Sequence, residues 1–234
     1  MTFVKVVQIY FKPIQIGFLD VDFLPYFNDE PVTPFFENEV IRGLYNESDH
    51  EDSDYYGVVS YKFRNKHLKG GARVMQMMEA DNHSSDVYSF FGNKQNMRSK
   101  NNTFQDRYHP NLLRIGELIV TKLFGKDINK IKADRIYYNH WIAKREVFDE
   151  YCRNMLLPVM DLMENDEEIR ALCYEDAMYN GDTSHPEHLR VNKPMSAEQC
   201  MQAFGVPYYT HHTFVLERLP SIYFAIKGYS IKHI

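Results

Sequence analysis

The chain has 234 residues with a formal net charge of −5, and hydrophobic residues make up 44% of it. These values are ordinary for a globular protein of one large domain or two small ones. Three scattered cysteines argue against a disulfide framework, and the absence of a signal-peptide pattern or an apolar run of about 20 residues predicts a cytoplasmic protein without a membrane span.

Apolar runs and amphipathic stretches alternate along the chain. The predicted strands are residues 3–11, 57–63, 86–91 and 135–143. The predicted helices are residues 35–46, 72–80, 110–125, 147–163 with a kink at Pro158, and a C-terminal stretch interrupted by Pro220. Because strands alternate with helices and no linker divides the chain, we predict a single α/β domain over 1–234. It has a mostly parallel central sheet flanked by helices and a C-terminal helical portion.

Polar and aromatic residues stand near the predicted strand ends, where open α/β sheets bind their ligands. They are Tyr10, Lys12, Lys62, Arg64, Asp86, Asn139 and Trp141. Gly70 and Gly71 precede a helix, so their backbone N–H groups could hold a phosphate, although such a pair is more often a turn. No GxGxxG, GxxxxGK[ST], HExxH, GxSxG or paired CxxC motif is present, which removes several common enzyme classes.

Several acidic and histidine groups are candidate metal ligands or catalytic residues. Asp20 and Asp22 form a DxD pattern in an early loop, for which a turn or a cap is the alternative. The segment HPEH (185–188) and the pair at 211–212 could bind a metal, but exposed loop histidines are the simpler interpretation. Glu217 stands beside Arg218 in an apolar run, so it has either a functional role or a structural ion pair.

Charge is unevenly distributed along the chain. Residues 20–54 are acidic with Arg42 as their only Lys or Arg, whereas residues 94–145 are rich in Lys and Arg. The basic stretch, with the polar loop predicted at 92–110, suits an anionic partner such as a phosphate backbone. Solvated surfaces are the alternative explanation.

Four stretches, in order, resemble a family of small glycosyltransferases with a GT-A-like, Rossmann-type α/β fold, found in bacterial capsule and O-antigen clusters and in some phages. They are ENEVIRGLYN (37–46), DYYGVVSYKF (54–63), YYNHWIAKREVFDEYC (137–152) and HTFVLERLPSIYFAIKG (212–228). The third is similar to an Asn–x–aromatic–x–x–Lys/Arg element of that family, and the fourth to its terminal Glu–Arg–Leu helix. This chain departs from the family in having Ser60-Tyr61-Lys62 in place of a His–Tyr–Arg–Arg strand end, and no DxD after the third strand.

The resemblance implies transfer of a sugar from a nucleotide-sugar donor, a UDP-sugar by preference, to a hydroxyl of a saccharide or of a hydroxymethylated base in phage DNA. In the phage case the location is the host cytoplasm. Implied catalytic residues are Glu217 and Asp86. Implied donor-binding residues are Tyr10, Lys12, Glu39, Arg42, Lys62, Arg64, Gly70 and Gly71, and implied acceptor or sugar-binding residues are Asn139, Trp141 and Arg218. The donor diphosphate is neutralised either by Mn²⁺ or Mg²⁺ at Asp20 and Asp22 or by cationic side chains alone.

The sequence also predicts the orientation of three side chains and leaves two other functions open. Because side chains alternate along a strand, we expect Asn139 and Trp141 to face the sugar cleft and His140 to point away. The missing DxD leaves a non-catalytic nucleic-acid-binding module as one alternative. A metal-dependent phosphoesterase using Asp20, Asp22 and histidines is the other.

Overall fold

The computed structural model describes residues 2–90, 109–134, 136, 138–179 and 194–234. Within them, a six-stranded sheet lies between helices on both faces, which confirms the predicted α/β class. The strands are β1 (Val4–Tyr10), β2 (Leu24–Phe27), β3 (Tyr55–Ser60), β4 (Val87–Ser89), β5 (Trp141–Lys144) and β6 (Ile231–His233). The α-helices are α1 (Glu37–Asn46), α2 (Phe63–His67), α3 (Gly71–Ala80), α4 (Leu112–Phe124), α5 (Arg145–Tyr151), α6 (Leu157–Asn165), α7 (Glu167–Cys173), α8 (Ala197–Phe204), α9 (His212–Leu216) and α10 (Leu219–Lys227).

The strand order is β2-β1-β3-β5-β4-β6, and only β5 runs antiparallel to its neighbours. The sheet is therefore mixed but mostly parallel. Strands β2 and β6 at its two edges were not predicted. Strand β2 is short, mostly exposed and contains Pro25. An edge strand tolerates proline, which has no N–H, because residues that face away from the sheet donate no hydrogen bond to a neighbouring strand. Strand β6 follows the last helix, so the C-terminal portion is not purely helical.

Alternation along β3 shows how the sequence builds the two cores. Tyr56 and Val58 face the larger core, which contains α1, α4, α5, α6, α9 and α10. Tyr55 and Val59 face the smaller core, which contains Phe63 of α2 and side chains of α3. Because successive strand residues point to opposite faces, a strand that is buried throughout needs helices on both sides of the sheet.

Pro158 lies at the start of α6, where the predicted helix was expected to kink. The chain passes from α5 into α6 through a π-helical turn, Cys152–Leu156. A proline has no N–H to donate and its ring crowds the preceding turn, so a widened turn before it keeps the two helical segments continuous.

Three parallel strands end at one edge of the sheet, and β5 starts there. Strands β1, β3 and β4 end at Tyr10, Ser60 and Ser89, while Trp141, the first residue of β5, pairs with Ser89. We call this end of the strands the carboxyl edge, as distinct from the two side edges formed by β2 and β6. The antiparallel direction of β5 means that residues before this strand, rather than after it, reach the carboxyl edge.

Candidate functional site

Polar side chains from segments far apart in sequence meet at the carboxyl edge. Asn139 Nδ2 donates to Asn38 Oδ1 at 3.0 Å, which ties the chain before β5 to the first turn of α1. Ser60 Oγ, at the end of β3, lies 3.1 Å from His140 Nε2. All four residues are buried, and their contacts fix the start of β5 to α1 and to the end of β3.

Glu217 and Arg218 lie in the short connection between α9 and α10, close enough to Lys66 of α2 and Glu37 of α1 for those charges to act on Glu217. Arg218 is buried, and its Nη1 donates to Glu217 Oε2 at 3.1 Å and to the Phe214 carbonyl at 2.7 Å. Burial raises the pKa of Glu217, while the charges of Arg218 and Lys66 oppose that rise. The Glu217 side chain keeps 19% of its surface exposed, so it is a partly desolvated carboxylate that solvent can still reach.

The protons of two contacting histidines, the buried His140 and the half-buried His67, can be assigned from the hydrogen bonds. The Ser60 backbone N–H can only donate, and it donates to His140 Nε2 at 3.4 Å, so the His140 proton lies on Nδ1. That Nδ1 donates to His67 Nε2 at 2.7 Å. His67 therefore carries its proton on Nδ1 and bonds the backbone of Phe90. Both rings are neutral in this chain of hydrogen bonds.

The surroundings of the histidine pair favour the neutral rings. Burial, followed by the charge of Lys66, lowers the pKa of His67 to about 4. Burial and Lys66 also hold the pKa of His140 well below the ordinary histidine value. Lys66 thus acts on both histidines and on Glu217, which makes it the electrostatic link between the two halves of the cluster.

Lys66 also contacts an exposed aromatic ring. Its Nζ lies 3.4 Å from the ring centroid of Tyr138, which is 42% exposed. Tyr138 and Asn139 have φ angles of 63° and 55°, a left-handed backbone that non-glycine residues rarely adopt. Two such residues in succession form a strained turn, and strain of this kind tends to be retained at functional sites.

The strand placement predicted for Asn139 and Trp141 is wrong. Strand β5 begins at Trp141, so Asn139 lies in the preceding turn and does not alternate with it. Trp141 is 2% exposed, and its ring packs edge-on against Tyr151 and Phe224, each with centroids 5.2 Å away. Trp141 is therefore a core residue, whereas His140, which was expected to point away, joins the cluster together with Asn139.

Asp20 and Asp22 cap a helix, which was the alternative reading of the DxD pattern. The Gly71 N–H donates to Asp20 Oδ2 and the Ala72 N–H donates to Asp22 Oδ2, both at 2.8 Å. These bonds occupy the first free N–H groups of α3. The prediction that the turn at Gly70 and Gly71 holds a phosphate is corrected by the same contacts, because Asp20 already takes the Gly71 N–H and lies against Gly70.

Asp86 lies at the amino ends of the parallel strands, whereas Glu217 lies near their carboxyl ends. Asp86 precedes β4 and accepts from Lys144 Nζ at 2.8 Å and from the Ser230 N–H at 2.9 Å. Although burial opposes it, these bonds lower the pKa of Asp86. Asp86 is thus a structural ion-pair residue that the fold does not bring to the cluster.

The remaining residues predicted at the donor occupy two places. Tyr10 is the last residue of β1 and Lys12 follows it, while Lys62 and Arg64 stand in the turn after β3 and in α2, so all four lie beside the carboxyl edge. Lys12 and Arg64 are exposed. On α1, Glu39 and Arg42 form an ion pair one turn apart, which is a sufficient explanation for both charges.

The described residues do not fit a site for Mn²⁺ or Mg²⁺. Among them, no three His, Cys, Asp or Glu side chains gather as metal ligands, and Asp20 and Asp22 are engaged by α3. His211 and His212 are fully buried rather than exposed in a loop, and they contact the Pro110 carbonyl and the Thr210 hydroxyl. The segment HPEH (185–188) and most of the loop predicted at 92–110 lie outside the described residues.

Two open surface hollows lie away from this cluster. One, of about 380 Å³, is lined by His50, Glu51, Arg145, Glu146 and Asp149, beyond the far end of β5. The other, of about 570 Å³, lies at the junction of α6 and α7. Neither contains the buried polar contacts that distinguish the carboxyl edge, so the cluster there remains the candidate site.

Six members of the cluster were missed by reasoning from the sequence: Asn38, Ser60, Lys66, His67, Tyr138 and His140, which was expected to point away. Asn38 carried a signal, since it is spaced three residues before Ile41 on the apolar face of α1, where a polar side chain needs a partner. The segment containing Lys66 and His67 read as a turn and gave no such signal. Their roles depend on where α2 packs.

Comparison of this chain with family models, with curated proteins and with solved structures finds no match. No helix among the described residues is long and apolar enough to cross a membrane.

Proposed function

We propose that the protein is a glycosyltransferase of GT-A-like fold, acting in the cytoplasm, that moves a sugar from a nucleotide-sugar donor to an acceptor hydroxyl. A UDP-sugar is the preferred donor. The observation that carries this proposal is the convergence of the four stretches that resemble that family. Asn38, Ser60, His140 and Glu217 come from these four stretches, and all of them lie in or beside the cluster at the carboxyl edge.

Glu217 is the residue that we propose as general base. Its carboxylate takes the proton of the acceptor hydroxyl as the hydroxyl oxygen bonds to the anomeric carbon, and the bond from that carbon to the nucleoside diphosphate breaks. A raised pKa makes a carboxylate a stronger base, and the exposed part of Glu217 gives an acceptor access to it. Arg218 holds the carboxylate in place through its hydrogen bond.

Cationic side chains beside the carboxyl edge are proposed to neutralise the leaving diphosphate. Lys12, Lys62, Arg64 and Lys66 all follow the ends of β1 and β3. Positive charge placed where negative charge develops is the largest contribution that such a site makes. Tyr138, held against Lys66, offers an exposed ring on which a base or the apolar face of a sugar can stack.

The acceptor is proposed to be either a saccharide or a hydroxymethylated base in DNA. The polar cluster supplies hydrogen bonds suited to either. Of the two alternative functions, the phosphoesterase loses support because Asp20 and Asp22 cap α3. The nucleic-acid-binding module predicts DNA affinity without any response to a donor.

A panel of UDP-, GDP- and CMP-sugars tests the proposal by thermal shift and by donor hydrolysis. At least one donor is expected to raise the melting temperature, and hydrolysis of that donor is expected to decrease in Glu217→Gln. Lys126→Gln, an exposed change in the connection after α4, is the matched control. Absence of a shift and of hydrolysis with every donor would contradict the proposal.

A further inference from the structure

A group of strongly exposed aliphatic side chains lies beside the carboxyl edge. Val21, Leu68 and Ile14 are 97%, 89% and 74% exposed, the three highest values for large hydrophobic side chains among the described residues. Ile16, on the same 3₁₀ helix as Ile14, is 55% exposed. A single exposed aliphatic residue is normal, but four on adjoining segments indicate an interaction surface.

Cationic side chains stand on the same segments as these aliphatic side chains. Lys12 precedes Ile14, and the others lie between the end of β3 and the first turns of α3: Lys62, Arg64, Lys69 and Arg73. None of these five forms an ion pair with any residue that the structure describes. The chain as a whole has a net charge of −5, so this concentration of positive charge is local.

Two segments of the chain form this surface, and hydrogen bonds hold them side by side. Asp20 and Asp22, on either side of Val21, accept from the N–H groups of Gly71 and Ala72. Segments 12–22 and 62–73 therefore meet at the start of α3, and close to this point Phe23 packs against Phe63 with ring centroids 5.3 Å apart. We call these two segments together the basic-aliphatic surface. Asp20 and Asp22 are the two acidic residues of these segments, against six Lys and Arg, so they offset the positive charge only in part.

We propose that the basic-aliphatic surface docks the protein on an anionic lipid bilayer. Lysine and arginine are attracted to negatively charged headgroups, and aliphatic side chains gain free energy by entering the acyl boundary. Nucleic acid fits less well, because a phosphate backbone makes no use of the exposed aliphatic side chains of Val21 and Leu68. Like charge opposes the pairing of this surface with the same surface of a second copy.

Docking would orient the candidate site towards the lipid. Lys66 belongs to α2 within this surface, and its charge acts on Glu217 in the cluster. If the proposed function holds, the acceptor hydroxyl is then carried by a lipid-anchored molecule. That consequence depends on the proposed function, whereas lipid docking itself does not.

Vesicle flotation with the full chain tests the docking. Binding is expected to vesicles of phosphatidylcholine with 30% phosphatidylglycerol, to be absent with phosphatidylcholine alone, and to weaken as salt is raised. Leu68→Glu and Val21→Glu should each lower the partition coefficient at least tenfold, and Lys69→Gln and Arg73→Gln about fivefold each. Met201→Glu, at another exposed hydrophobic position, and Lys126→Gln are matched controls that should leave binding unchanged.

Three results would overturn the proposal. One is no flotation with the anionic vesicles, or equal flotation with neutral ones. Another is duplex DNA binding that Lys69→Gln weakens while the uncharged change Leu68→Ser does not, which would assign the surface to nucleic acid. The third is a dimer in light scattering that Leu68→Glu dissociates. The donor-induced thermal shift of Leu68→Glu separates the two proposals. If docking fails but the proposed function is right, the donor still raises the melting temperature. If the proposed function is wrong, it does not.

Discussion

His140 Nδ1 lies 2.7 Å from His67 Nε2, so a hydrogen bond between two neutral imidazoles ties α2 to the start of β5. One proton lies between the two rings. If His67 takes a second proton on Nε2, both facing nitrogens carry hydrogen and the bond is lost. The pair therefore makes the local structure sensitive to acid.

Stability is expected to decrease as the pH falls below the ordinary histidine value of 6.5. The pKa of His67 is about 4 in the folded state, so between these values the unfolded chain binds more protons than the folded one. The loss amounts to at most about 1.4 kcal/mol per pH unit for each such histidine. His109 and His212, with pKa values of about 4 and 3, act in the same direction.

Urea denaturation at pH 7.5, 6.5, 5.5 and 4.5 measures this dependence. His67→Gln should make the decline of the unfolding free energy with acidification shallower without removing it, because the other histidines remain. A urea midpoint that does not change between pH 7.5 and pH 4.5 would show that the histidines are not held neutral by the fold.

Glu217→Gln is expected to reduce sugar transfer by about 10²–10⁴-fold, because the amide cannot accept the acceptor proton. The donor-induced thermal shift should remain. In the wild-type chain the rate should rise with pH through the raised pKa of Glu217 and then level off.

Asp86→Asn is the matched carboxylate control for Glu217→Gln. Loss of its bonds to Lys144 and Ser230 should lower the melting temperature but leave turnover per folded molecule unchanged. Equal losses of turnover in the two variants would remove the special role of Glu217.

Trp141→Ala should destabilise the fold by about 3–5 kcal/mol, as expected for a large ring removed from a packed core. Trp141→Phe should cost less, since it keeps part of the contact with Tyr151 and Phe224. Chemical denaturation of both variants measures this order. A stable Trp141→Ala variant with specifically reduced transfer would instead return Trp141 to the sugar site.

Gly71→Ala should destabilise the start of α3. An added Cβ would lie 2.7 Å from Asp22 Cβ and 2.8 Å from Asp20 Oδ1, within the turn that caps the helix. Gly43→Ala is the matched control, because its Cβ would meet nothing within 4 Å and an alanine inside α1 is preferred over glycine by roughly 1 kcal/mol. The two substitutions should therefore change the unfolding free energy in opposite directions.

Local patterns were sufficient for most of the larger elements. Helix α1 and helix α4 were predicted because apolar residues recur every three or four positions, and the break at Pro158 because proline lacks an N–H. Strand β2 was missed because its four residues are mostly exposed and it contains Pro25. The position of His140 was misread because β5 starts later, and in the opposite direction, than the apolar run suggests.

The sequence by itself determined the α/β class, the order of the main elements and the presence of Glu217 within an apolar run, since hydrophobic periodicity is a local property. Only the tertiary structure decided that His140 contacts His67 and that Asp20 caps α3. It also decided that Asp86 and Glu217 lie at opposite ends of the parallel strands. These relationships depend on the direction of β5 and on the packing of helices between strands. Both are set by contacts among residues far apart in the chain.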